Sequence, residues 1–285
     1  MTFRIVHLSD THFGQVADLR QIHAVEELVP DLDARLIVLT GDLSLRARHG
    51  EFQAARAFVH ELERTAPVMT IPGNHDVQWW WRPFIPFAAQ VKYRKYARYF
   101  GPVLSPILDF PEAIVVGANT SHGIAWGSLT PRLRDVAVKG HLPKQQIERA
   151  REAFSAAASE RVRVLVVHHN VLRGELSQRM GLARWRQAQR RIVESGTDIV
   201  LCGHDHQEQV DSLEERVVVS CAGTLSTRSR GNRPSVFNRV SIDDHAIHVE
   251  FFRWEAGDGV FKRSDVHTFP RPRRLDDAPV PAGAR

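Results

Sequence analysis

The sequence predicts an α/β fold, a four-layer α/β/β/α sandwich in which two mixed β-sheets are flanked by helices. Three observations predict it. Short apolar runs rich in Val, Ile and Leu stop abruptly at small polar residues, as buried strands do where they leave a sheet. Segments of helical period separate the first of these runs, giving the strand–helix–strand alternation of layered α/β folds. Beyond about residue 206 strand-like runs follow one another directly, which predicts a second, mixed sheet packed on the first.

In order, a strand over residues 3–8 leads into Ser9-Asp10-Thr11-His12. A helix over 19–29 is closed by Pro30-Asp31. A strand over 35–39 leads into Thr40-Gly41-Asp42. Residues 51–63 carry Phe52, Ala55, Phe58, Val59 and Leu62 at helical spacing. The run Val68-Met69-Thr70-Ile71 is stopped by Pro72-Gly73 and delivers Asn74-His75-Asp76. Further on come a strand over 113–118, a helix over 144–158, a strand over 162–167 ending in His168-His169, and a helix over 182–195 stopped by Gly196. A strand over 199–202 ends in Gly203-His204-Asp205-His206. The successive strands are expected at 217–221, 237–242 and 247–254.

Residues 78–106 interrupt this rhythm. Trp79-Trp80-Trp81, Pro83 and Pro86 precede a helix-like stretch with Tyr93, Tyr96, Ala97 and Phe100 on one side and Arg94, Lys95 and Arg98 on the other. It reads as a lid-like insertion over the mouth of a site, either packed on the body or touching an anionic substrate. The rest, residues 1–270, reads as one domain. From Arg271 onward the chain is Pro- and Arg-rich, and residues 271–285 are expected to be a disordered tail.

The 285 residues carry a formal net charge of +5, which suits an anionic small molecule without demanding nucleic acid. The two cysteines, Cys202 and Cys221, sit in apolar runs without CxxC spacing, so they read as core residues of a reducing, cytoplasmic setting. No apolar run approaches the ~18 residues of a membrane span. The expected partner is a small anionic phosphoester, with no nucleic-acid polymer and no stable membrane insertion; homodimerisation stays open.

In α/β sheets, ligands bind in the crevice outside the carboxyl ends of the strands. Five such ends here carry only oxygen and imidazole donors, the signature of one metal site. Read together they are Asp10-Thr11-His12, Gly41-Asp42, Gly73-Asn74-His75-Asp76, His168 and Gly203-His204-Asp205-His206. This is the pattern D-x-H, G-D, G-N-H-D, H, G-H-x-H, and by it the chain resembles the calcineurin-like metallophosphoesterases across residues 10–206. Within them it is most similar to bacterial class III cyclic-nucleotide phosphodiesterases, through His168-His169, Ala222-Gly223-Thr224 and Ser235-Val236-Phe237-Asn238.

The resemblance implies the metallo-dependent phosphatase fold and two divalent or trivalent metal ions (Mn, Fe or Zn). One would take Asp10, His12, Asp42 and His206; the other Asn74, His168, His204 and a shared Asp42. It implies hydrolysis of a phosphodiester, such as a 3′,5′-cyclic nucleotide, by attack of a metal-bound hydroxide. The alternatives are a pyrophosphatase or phosphodiesterase acting on a nucleotide-sugar or lipid-linked diphosphate, or an inactive regulator that only binds phosphate ligands. His75 is expected to contact phosphate and protonate the leaving group, with Asn74 beside it on the substrate. Asp76 either orients the His75 ring or caps its own turn. Arg46 either grips phosphate or faces solvent in an ion pair. Strand alternation sends His168 and His169 to opposite faces, so one of them is the direct ligand; the resemblance makes it His168, with His169 behind it supporting the site.

Overall fold

Strand β1 (Phe3–Leu8) sends its side chains alternately to two different cores. Ile5 faces a layer it shares with Leu36, Val38, Val115, Val164 and Leu201, whereas Val6 and Leu8 face Val25, Phe52 and Val59. A strand can do this only when both of its faces are covered. The computed structural model describes residues 2–78, 89–122 and 139–271 and shows what covers them.

One sheet runs in the order β12 (Val260–Pro270), β11 (Ala246–Glu255), β10 (Val236–Ile242), β1, β2 (Leu36–Leu39), β3 (Val68–Thr70). The other runs β4 (Ile107–Asp109), β5 (Ala113–Gly117), β6 (Val162–His169), β7 (Ile199–Gly203), β9 (Val217–Cys221), β8 (Gln209–Leu213). Their facing sides form the central apolar layer. Helices α1 (Leu19–Leu28) and α2 (His49–Leu62) contribute to the outer core of the first sheet. Helices α5 (Lys144–Ala156) and α6 (Trp185–Glu194) do the same for the second, with Ile147, Phe154 and Ile192 against Leu165 and Val200. The order helix, sheet, sheet, helix is the predicted four-layer α/β/β/α sandwich, and both sheets are mixed.

The strands are distributed differently from the sequence reading. The C-terminal strands do not build the second sheet. β10 pairs antiparallel with β1, from Phe3 opposite Ile242 to His7 opposite Asn238, and β11 and β12 continue outward. β9 joins the second sheet, parallel to β7. The physical reason is that β2 covers only one edge of β1, and the other edge needs a partner whose apolar residues alternate in phase, as Val236, Val240 and Ile242 do. β4, β8 and β12 were not foreseen. They are edge strands with mixed polar composition, so they lack an apolar signal.

Trp79, Trp80, Trp81, Pro83 and Pro86 of the expected lid lie outside the described residues, as does the tail after Arg271. Of the insertion, helices α3 (Ala89–Lys92) and α4 (Arg94–Phe100) are described. Tyr96 is buried, and it packs with Tyr99 and Phe100 around Phe52 of α2. Lys95 Nζ donates to the Ala47 carbonyl at 3.0 Å. The guanidinium of Arg271 donates to the carbonyls of Asp243 and Glu160. Among the described residues no helix is long and apolar enough to cross a membrane.

His7, fully buried in β1, lies with Nδ1 3.3 Å from Ser220 Oγ and Nε2 3.3 Å from Thr40 Oγ1. Burial pushes its pKa from 6.5 down to about 3, with the Asp10 carboxylate pulling the other way. Between those pH values the unfolded chain binds a proton that the folded chain refuses. Stability from this group is therefore full above pH 6.5 and falls as pH drops, by up to ~1.4 kcal/mol per pH unit. Denaturant titrations at pH 7.5 and 5 are expected to show this slope, and His7→Gln to lose about one proton of it; an unchanged slope in the variant would place it on other groups.

Candidate metal centre

The carboxyl ends of β1, β2, β3, β6 and β7 converge. Asp10, His12, Asp42 and His206 each bring one donor atom within 4.8 Å of the others. His12 Nε2 lies 3.0 Å from His206 Nε2 and 3.6 Å from Asp10 Oδ1, and His206 Nε2 lies 3.2 Å from Asp10 Oδ1. A second cluster lies beside the first. Asn74 Oδ1 is 3.0 Å from His168 Nε2 and 2.9 Å from His204 Nδ1, and these two nitrogens are 3.3 Å apart. Asp42 Oδ2 belongs to both clusters, at 3.8 Å from His12 Nε2 and 3.5 Å from His168 Nε2.

These contacts make poor sense without cations. His168 Nδ1 donates to the Thr40 carbonyl at 2.7 Å and His206 Nδ1 to the Arg228 carbonyl at 2.9 Å. A carbonyl only accepts, so in the neutral rings Nε2 carries a lone pair pointing into the cluster. In the neutral His168 ring, the form that takes a cation in place of its proton, that lone pair faces an amide oxygen. Asp10 Oδ1 and His12 Nδ1 are buried without hydrogen-bond partners. Nitrogen and oxygen ligands bind such ions at about 2.0–2.2 Å, so donor atoms 3–4 Å apart are what one ion would span. The donor set contains no sulfur and fits Mn, Fe or Zn.

The electrostatics agree. Burial alone would raise the Asp10 and Asp42 carboxyls, but the surrounding imidazoles outweigh it and hold both well below the usual carboxylate range. Conversely, burial lowers His168, yet Asp42 and Asp10 carry it up to about 9. His204 is pushed down to about 3 by burial and by His168. Negative charge concentrated in a dry cleft attracts cations.

The backbone is strained at the same places. Asp10 (φ 54°), His12 (45°), Asp42 (52°), His204 (74°) and His206 (57°) are all left-handed non-glycine residues. Such residues cost free energy and cluster where function requires them. Gly73 and Gly203 allow the close approach. A Cβ on Gly73 would lie 2.1 Å from Asp42 Oδ1, and one on Gly203 1.9 Å from Ser9 Oγ.

Four expectations meet specific geometry. Asp76 does not touch the His75 ring. Its carboxylate accepts from the amides of Gly73 (2.9 Å), Leu43 (3.1 Å) and Ser44 (2.8 Å) and from Ser44 Oγ (2.8 Å), stapling two site loops together. Of its two readings, the geometry is that of the turn cap. His75 instead has Nδ1 2.7 Å from the Leu45 carbonyl and its amide on Asp42 Oδ1 at 2.8 Å, with its ring against His12. Arg46 is exposed, and no ion pair among the described residues includes it. His168 and His169 do not diverge as alternation predicts. The β6–β7 ladder shifts between Val166 and His169, and both rings pack on His204, with centroids 5.1 and 4.4 Å away. His169 also offers a donor atom to a cluster with His168 and His204, while its Nδ1 is 2.8 Å from Thr120 Oγ1.

The carbonyls of Thr40, Leu45 and Arg228, which orient His168, His75 and His206, were missed. A backbone carbonyl leaves no mark on residue type, so no sequence signal could have found them. Asn119 and His122 bond among themselves and to Ser121 and Tyr93.

The sequence model of calcineurin-like phosphoesterases matches residues 3–208. No curated protein matches the sequence. Among solved structures the chain is similar to the purple acid phosphatase PPD1 of yellow lupin seeds, with TM-score 0.67 and 14% identity; 95% of this chain is covered, and it spans about half (54%) of that one. It is similar to a dimetal phosphatase from Danio rerio, with TM-score 0.66, 11% identity and coverage of 95% and 99% of the two chains. It is also similar to PhoD, with TM-score 0.68, 10% identity and coverage of 95% and 70%. At these identities the likeness is one of fold.

Proposed function

Because the chain belongs to the calcineurin-like phosphoesterase family, we propose that it is a metal-dependent hydrolase that cleaves a phosphodiester in a small anionic substrate, a 3′,5′-cyclic nucleotide being the first choice. The observation that carries this reading is Asp42 Oδ2, held between two donor clusters. Asp10, His12, Asp42 and His206 would hold one ion, and Asn74, His168, His204 and Asp42 the other. Such a pair supplies an activated water and neutralises phosphoryl oxygens.

The chain's own groups do the rest. The Leu45 carbonyl keeps the His75 proton on Nδ1 in the neutral ring, so Nε2 is the atom that meets substrate and, when protonated, gives its proton to the leaving oxygen. Asn74 touches both cluster and phosphate. Arg46, whose side chain is exposed, would contact a phosphate oxygen. The likeness to class III cyclic-nucleotide phosphodiesterases in His168-His169 supports the choice of substrate, and a cytoplasmic location belongs to the same reading.

The test is protein reconstituted with Mn²⁺ and assayed on bis(p-nitrophenyl) phosphate and on the monoester. The diester is expected to turn over about tenfold faster or more; a monoester preference would overturn the reading. Release of nucleotide from 3′,5′-cyclic AMP rather than from a UDP-sugar then separates the cyclic substrate from a diphosphate. No turnover of any phosphate ester with both ions bound would leave a phosphate-binding regulator.

A further inference from the structure

The carboxylate next to His75 in sequence is occupied elsewhere, so something else must hold its imidazole. We propose that Glu51 is a positioning residue for His75, acting through the single peptide group that joins Leu45 to Arg46. The proposal rests on the reading of His75 as proton donor to the leaving group.

The geometry is a short relay. His75 Nδ1 donates to the Leu45 carbonyl at 2.7 Å. The N–H of the same peptide unit, that of Arg46, donates to Glu51 Oε2 at 2.8 Å. A trans peptide is planar, with its C=O and N–H pointing in opposite directions. The carboxylate on one side and the imidazole on the other therefore sit at the two ends of one rigid dipole. Hydrogen bonds in series polarise each other, so a charged acceptor on the N–H makes the carbonyl a stronger acceptor for Nδ1–H.

The surroundings keep the relay in register. Glu51 is only 9% exposed and lies in the first turn of α2, where a carboxylate is favoured by the helix dipole. Gly14, at φ 142°, leaves room for it: a Cβ there would come within 3.2 Å of Glu51 Oε1. Leu45 N donates to the Phe13 carbonyl at 3.1 Å and Ala47 N to Ser44 Oγ at 3.2 Å, so the peptide cannot rotate alone. Glu51 Oε2 also accepts from Arg48 N at 3.2 Å, the bond expected of a helix-capping glutamate. Capping accounts for that bond. It does not account for the shorter one, which ends on the peptide that holds His75.

The test uses the Mn²⁺-reconstituted enzyme and aryl phosphodiesters differing only in leaving group, from p-nitrophenol to phenol. A lost proton donor hurts the poor leaving group most. In Glu51→Ala, turnover of the phenyl ester is expected to fall about tenfold further than that of the p-nitrophenyl ester. His75→Ala should show the same bias more strongly, and Glu51→Gln, which keeps an acceptor oxygen, should recover most of it. The ring Nδ1–H resonance of His75, recorded on the Zn²⁺-loaded enzyme because paramagnetic Mn²⁺ would broaden it away, should move in both Glu51 variants. If His75→Ala steepens the leaving-group dependence while Glu51→Ala slows both esters equally or neither, Glu51 is only a cap and the proposal falls. If His75→Ala shows no such bias, the reading of His75 falls instead. Should Glu51→Ala not fold, Glu51→Gln decides on the resonance alone: an unmoved Nδ1–H overturns the relay.

Discussion

Asp42→Ala is expected to lower bound metal from two ions per chain to at most one and to cut turnover by about a thousandfold or more. Two contacts disappear at once. Oδ2 lies within reach of imidazoles of both clusters, His12 at 3.8 Å and His168 at 3.5 Å. Oδ1 accepts the amide of His75 at 2.8 Å and so fixes the start of the loop that carries the proposed acid. Burial would raise the carboxyl, but the imidazoles of His168, His75 and His12 around it hold it below the usual carboxylate range. Asp42→Asn, which keeps the shape but not the charge, should also lose metal. Metal content measured beside turnover decides: a variant that keeps two ions and full rate would remove the shared oxygen from the account.

The second large effect is expected from His75→Ala, a fall in kcat of about 10²–10⁴ with metal content unchanged. The His75 ring lies edge-on to His12, at 4.8 Å between centroids, but it belongs to neither donor cluster. Its Nδ1 is committed to the Leu45 carbonyl, which leaves Nε2 for the substrate. Loss of rate together with loss of metal would mean that His75 supports the centre rather than the chemistry.

Much of this centre was legible because strand ends announce themselves. Val, Ile and Leu runs broken by Gly-Asp, Gly-Asn-His or Gly-His-Asp-His place both the fold's layers and the donor atoms, and Asp10, His12, Asp42, Asn74, His168, His204 and His206 do meet. Hydrophobic period does not carry pairing, however. Nothing in residues 236–242 says that their partner is β1 rather than β9. β8 and β12 are edge strands whose polar residues hide them. His169 stands beside His168 rather than behind it because a ladder irregularity cancels the alternation that residue spacing assumes. Residue type could not choose between the two readings of Asp76, because the amide donors and carbonyl acceptors that took Asp76 and His75 are the same at every position of any chain.

The placement of β1 between β2 and β10 also bears on how the polypeptide reaches this state. Phe3 must wait for Ile242 before its second edge is covered. On the ribosome, the first strand therefore keeps one edge open until residues 236–242 have been made, and contacts so distant along the chain form slowly. Holding the nascent N-terminal half apart from its neighbours, by a chaperone or by dilution, should matter more for the yield of this protein than for its final stability.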